Sequence, residues 1–301
     1  MKGLPEFLEH LRQGRRVSPH TLRAYEGDLR RFAAHLEASG AAGPGAAGPA
    51  EIKRYAAGLL ADGAARTSVA RRLAAVRTFY KYLVQTGSVE TDPAAVVRTP
   101  SVRRKLPRAL TAEEIGRLLE APRGPSFQAR RDRAALELLY SAGLRNAELV
   151  GLDLDGLDLE QGLCRVLGKG RKERLAVVGR FAQSALAEYL ELRRTLVKPE
   201  AGRAVFLNRF GTRLDGRSLR RIFARYLVKA DLPDGVTPHT LRHTFATHLL
   251  EHGASLKEVQ ELLGHRHLSS TQIYTHLTPA HLREVYDAAH PRARAVAGAV
   301  R

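Results

Sequence analysis

The chain has 301 residues, enough for two domains each with its own core. Its 49 Lys+Arg against 31 Asp+Glu give a net charge of +18, and 44% hydrophobic with 27% charged residues exclude a disordered tail, a collagen-like chain or a low-complexity chain. That charge calls for a polyanionic partner, nucleic acid first, while the lack of any apolar run near the roughly 20 residues of a membrane span argues against a membrane partner.

MKGLPEFLEH lacks the apolar stretch of a signal peptide, and the single cysteine, Cys164, leaves no internal disulfide; a soluble, cytoplasmic chain is expected. Residues 1–98 read as helical, with one Gly/Pro/Ala-rich break and no alternating strand pattern. Ser18 before Pro19 opens a helix whose Leu22, Tyr25, Leu29, Phe32 and Leu36 form one apolar stripe, ending near Gly40. AAGPGAAGPA (41–50) is a loop by composition, and helices follow at about 51–61 and 67–86. The last of these turns Val69, Leu73, Val76, Phe79, Tyr80 and Leu83 inward and Arg66, Arg71, Arg72, Arg77 and Lys81 mostly outward.

VRTPSVRRKLPRAL, from Val97 to Leu110, carries two prolines, five basic residues and no acid, and reads as a linker at 99–109. The second domain, 110–301, opens with a Thr111/Glu114 capping box ahead of Ile115, Leu118 and Leu119. A helix at 130–142 ends at Gly143, and short β-type runs at 157–159, 163–167 and 174–178 fit a three-stranded antiparallel sheet. Helices return from about 181 to the end.

Residues 237–277 hold the densest set of cations and histidines. Thr237 and Pro238 start a helix ending at Gly253, on which His239, Arg242, His243 and Ala246 share a polar face beside an inward stripe of Leu241, Phe245 and Leu249. Ser255 and Glu258 cap a second helix that ends at Gly264, so His265 leaves it at a defined point, and Tyr274 follows in a polar, Thr-flanked segment.

Arg145 in GLRNAEL, Lys169 in GKGRKER, His239 and Arg242 in HTLRH, His265 in LLGH and Tyr274 in QIYTHL together resemble the catalytic signature of the tyrosine recombinases, the phage integrase family, and in detail its Xer branch. The resemblance extends to SPHTLRAYEGDLRRFAAHL (18–36) and VYDAAHPRA (285–293). It departs from the family pattern at Asn146-Ala147, where an aliphatic residue and serine are usual, and at Arg266-His267, where small residues are common. It implies a mainly α fold: a helical, SAM-like core-binding domain followed by an α-rich catalytic domain with a small sheet.

The chemistry suits the set. A pentacoordinate phosphorane gathers charge on its non-bridging oxygens, which the planar, permanently charged guanidiniums of Arg145 and Arg242 would stabilise. Tyr274 would be the nucleophile, with His239 as base because a free phenol is only about one part in a thousand ionised at neutral pH. Lys169 would protonate the leaving 5′ oxygen, an assignment resting on the family pattern, with Lys172 the competing lysine. His265 would donate a hydrogen bond to phosphate. No cofactor is expected, in keeping with the absence of a Walker loop, a GxGxxG turn or an acidic metal cluster.

Blander readings stand beside these. Arg145 with Glu148 has the spacing of an ordinary i,i+3 ion pair, GKGRKER that of an exposed hairpin, and Tyr286 reads as a half-buried tyrosine. His243, His248 and His252 read as packing, helix-end or DNA-facing residues rather than zinc ligands. Arg71, Arg72, Arg103, Arg104 and Lys105 are candidate phosphate contacts. The resemblance implies double-stranded DNA as partner, a homo- or hetero-tetramer on two DNA sites, and a role in resolving chromosome dimers with a second Xer-type recombinase and a DNA translocase. The alternatives are a mobile-element integrase, a topoisomerase-like nicking and sealing enzyme, a catalytically inert architectural protein, and a metal-dependent nuclease.

Overall fold

The computed structural model describes residues 1, 3–14, 17, 19–101, 108–168, 173–264 and 278–293. The protein is mainly helical with one small antiparallel sheet, and it divides into two compact units, Met1–Lys105 and Leu106–Arg301.

In the first unit, α1 (Leu4–Gly14), α2 (Pro19–Ala38), α3 (Pro49–Ala61) and α4 (Arg66–Gln85) enclose one apolar core. On α2 the expected stripe is buried at Leu29, Phe32 and Leu36 and half-buried at Leu22 and Tyr25. All six residues expected to face inward on α4 are buried. Helix α1 buries Leu4, Phe7 and Leu11, one per turn, with Phe7 edge-on to Phe79 of α4 at 5.3 Å. Arg71 and Arg72, the candidate phosphate contacts of α4, turn toward buried Asp28: Arg71 hydrogen-bonds its carboxylate, and Arg72 Nε lies 3.9 Å from it. Ser18, Arg103, Arg104 and Lys105 lie outside the described residues.

The second unit opens with α5 (Ala112–Glu120), which carries the expected Thr111/Glu114 capping box. Helix α6 (Phe127–Ser141) starts three residues earlier than the apolar pattern predicts, because Ser126 caps it by accepting from Ala129 N–H. It is buried along most of its length and packs against α5, α8 (Arg180–Leu196) and α10 (Pro238–Glu251). Between α6 and α8 lie α7 (Asn146–Val150), β1 (Leu157–Asp158), β2 (Leu163–Leu167) and β3 (Glu173–Val177), the strands pairing antiparallel in the order β1-β2-β3. Helices α9 (Gly216–Lys229), α11 (Leu256–Leu263) and α12 (Pro279–Ala289) complete the unit.

Helix α10 holds the start of this unit by side-chain bonds. Leu110 N–H donates to Thr244 Oγ1 at 3.0 Å, His248 Nε2 donates to Leu110 C=O at 2.9 Å, and His248 Nδ1 accepts from Tyr140 at 2.8 Å. His248 is therefore a packing residue, and burial pushes its pKa down, in keeping with a neutral ring. Tyr286 differs from its expected half-burial: it is 2% exposed, and its hydroxyl pairs with Ser141 Oγ at 3.0 Å, since a fully buried phenol needs a partner.

Candidate active site

Arg145 does form the i,i+3 ion pair with Glu148, but from the N-cap position of α7, with extended backbone dihedrals, rather than from within a helix. Gly143, at φ +55°, turns the chain out of α6 in a left-handed conformation that favours glycine, and a Cβ there would lie 2.8 Å from both Leu263 and Phe245 side chains. That close approach packs the turn two residues before Arg145 against Phe245 of α10 and Leu263 at the end of α11. Its side chain is 37% exposed.

Glu148, three residues on, is the node of the site. Its Oε2 accepts from Arg145 N–H at 2.9 Å and from Arg174 Nη2 at 2.9 Å, while its Oε1 accepts from Arg145 Nη1 at 2.6 Å. Arg242 Nη1 lies 3.9 Å from Oε2. Burial alone would raise the Glu148 pKa, but Arg174 and then Arg145 outweigh it, and the net shift is downward. Three guanidiniums thus share one ionised carboxylate, and the site keeps a surplus of positive charge.

Arg242 was expected on the polar face with His239 and His243. Those two histidines are exposed, but Arg242 is 7% exposed and turned inward, where Nη1 donates to Gly143 C=O at 2.5 Å and Nη2 to Leu263 C=O at 2.7 Å. Main-chain carbonyls draw the guanidinium in, because a buried cation must be compensated. Burial, followed by Arg145 and Arg174, pushes its pKa down to about 9, against the pull of Glu148, and it stays charged at neutral pH. His239 is the second residue of α10, one turn before Arg242 on the same helix. Lys169, His265 and Tyr274 lie outside the described residues. Their flanks are described: β2 and β3 pair up to Leu167↔Glu173 on either side of the Lys169 segment, and α11 ends at Gly264, in a left-handed conformation, immediately before His265.

A family model for the phage integrase family matches residues 108–281, and a second, for the phage integrase N-terminal SAM-like domain, matches residues 4–87. The chain is 42% identical over 292 residues to a protein named tyrosine recombinase XerC from Thermodesulfovibrio yellowstonii, covering 96% of each, and 47% identical over 291 residues to a protein of that name from Azotobacter vinelandii, covering 97% of this chain and 96% of the relative. The chain belongs to the phage integrase family, the tyrosine recombinases. Among solved structures, a XerA recombinase matches with a TM-score of 0.50 at 30% identity, over 96% of this chain and 98% of the other. A lambda integrase dimer bound to a COC′ core site shares the fold, with a TM-score of 0.69 at 20% identity over 91% of this chain and 98% of the other.

Two residues of this integrase-family site escaped sequence reasoning. Glu148 was seen only as an ion-pair partner, although its position at N3 of a helix capped by Arg145 marks it as a carboxylate folded back onto the N-cap. Arg174, inside GKGRKER, was not singled out. The alternation of β3 carries the signal: the register sets Arg174 opposite buried Val166 and Ala176 opposite buried Cys164, so the strand puts a cation on its core face.

Proposed function

We propose that this tyrosine recombinase is a site-specific enzyme of the Xer kind, which cuts and rejoins DNA through a 3′-phosphotyrosine at Tyr274 and resolves chromosome dimers at cell division. The observation that carries the reading is the cage in which Arg145, Arg174 and Arg242 converge on Glu148, with Arg174 and Arg242 tied to the last turn of α11. Tyr274 Oη forms a bond to the scissile phosphorus as the bond to the 5′ oxygen breaks; His239 takes the phenolic proton, and Lys169 supplies one to the leaving oxygen. Arg145 and Arg242 stabilise the phosphorane charge, at about 3 kcal/mol for each donor by analogy with oxyanion holes. His265 adds a hydrogen bond. A 5′-hydroxyl from the partner strand reverses the step, and the phosphodiester energy is kept in the covalent link, so neither ATP nor a metal enters.

In this reading, domains at 1–98 and 110–301 both contact duplex DNA from either side of the basic linker at 99–109, with four protomers on two sites. A second Xer-type recombinase and a DNA translocase are the implied partners, and the cytoplasm is the compartment the role requires. The relatives' names and the family match support it. The test is Tyr274→Phe on a nicked suicide duplex: loss of the covalent adduct with retained binding is the expected result, and an undiminished adduct removes Tyr274 from the reaction.

A further inference from the structure

We infer that Arg174 is a positioning residue of the recombination reaction, which keeps one arm of Arg145 free for phosphate by occupying the second oxygen of Glu148. The inference rests on the proposed role of Arg145. Arg174 stands on the core face of β3 with its side chain 11% exposed. Its guanidinium forks between Glu148 Oε2, at 2.9 Å from Nη2, and Leu262 C=O in the last turn of α11, at 3.0 Å from Nη1. Gly264 leaves room for the stem: a Cβ there would lie 2.5 Å from Arg174 Cδ.

Burial and these two acceptors exclude the simpler roles. A phosphate ligand must turn donors outward, and both terminal nitrogens of Arg174 face protein acceptors. A surface ion pair would be solvated and worth little, whereas Glu148 is buried. What Arg174 does is divide a carboxylate. Oε1 holds Arg145 Nη1, and Oε2 is taken by Arg174 and by the Arg145 main-chain N–H. Carboxylate and guanidinium otherwise prefer two parallel hydrogen bonds. Without Arg174, Oε2 becomes available to a second nitrogen of Arg145, and the guanidinium closes onto Glu148 instead of presenting that nitrogen to DNA. The tie to Leu262 also fixes the carboxylate against the helix end from which the His265 segment leaves.

The experiment compares single-turnover adduct formation on two suicide duplexes of the sequence that the wild-type protein cleaves. They are identical except that the scissile phosphate of one is a methylphosphonate, whose missing non-bridging charge makes an aligned arginine less necessary. Arg174→Met is expected to slow reaction on the phosphodiester about 100-fold, the scale of a misplaced catalytic group, and reaction on the methylphosphonate by about 10-fold or less. Arg174→Lys, which reaches one acceptor but not both, falls between wild type and Arg174→Met. The ratio of the two rates is unaffected by loss of stability, because both come from the same folded fraction; if Arg174→Met does not fold, Arg174→Lys carries the comparison. Arg145→Ala is run beside them. Equal slowing on both duplexes by the Arg174 variants, with Arg145→Ala sparing the methylphosphonate, overturns the inference and leaves the Arg145 reading standing. Equal slowing by Arg145→Ala overturns both.

Discussion

At the scale of single residues, the site depends on one carboxylate balanced by several cations. A buried ion pair contributes little net stability when intact, but removing one partner is costly because the others lose their compensation. Glu148→Gln keeps the shape and loses the charge, leaving three guanidiniums in mutual repulsion, and should cost about 3 kcal/mol near neutral pH. The sign with pH follows from its downward-shifted pKa. The folded state binds the Glu148 proton less readily than the unfolded chain, so its stabilisation is complete above the ordinary glutamate pKa of about 4.3 and fades as pH falls through the lower, folded value. Denaturant melts of wild type and Glu148→Gln should therefore differ most at neutral pH and converge in acid; a gap that stayed constant down to about pH 3 would show that the charge of Glu148 is not what matters.

At the scale of elements, the architecture of the site comes from how helices end. Gly143 and Gly264 both adopt left-handed conformations, and each lies against a neighbour that a Cβ would strike. Gly143→Ala combines backbone strain with overpacking against Leu263 and Phe245, and should destabilise by about 3 kcal/mol in chemical denaturation; a loss under about 1 kcal/mol would mean that the α6–α7 turn relaxes without cost. These ends were legible in the sequence, because glycine after an apolar periodic run, Thr111/Glu114 and Ser255/Glu258 are local signals that need no tertiary information. The three strands were legible for the same reason. Helix α7, at five residues, is too short to show a period, and α1 has its apolar spacing but no polar cap to announce it. Arg145 and Arg242 could be named from their motifs. That they meet at Glu148 could not, because Arg174 and Arg242 reach that carboxylate from segments far apart in sequence, and only the assembled fold brings them together.

At the scale of the molecule, the number of phosphates that the cations behind the +18 charge neutralise sets how binding responds to salt. Each phosphate neutralised adds close to one unit to the slope of log affinity against log salt. Replacing Arg103, Arg104 and Lys105 together by alanine should lower that slope by about 3 in fluorescence titrations at several salt concentrations. Arg71→Ala should lower it by less, since Arg71 must first leave Asp28 to reach a phosphate. An unchanged slope for the triple variant would remove the linker from the DNA contacts.

The tethering of Arg242 has a consequence for how the protein tolerates change. Two of its hydrogen bonds run to oxygens of the polypeptide backbone, at Gly143 and Leu263. A backbone oxygen survives a change of side chain at Leu263, the last residue of α11, whereas inserting or deleting one amino acid in the turn after α6 or within α11 shifts an anchor by several ångströms. Besides the glycine at 143, it is the number of residues leading to each anchor that this corner of the protein cannot vary.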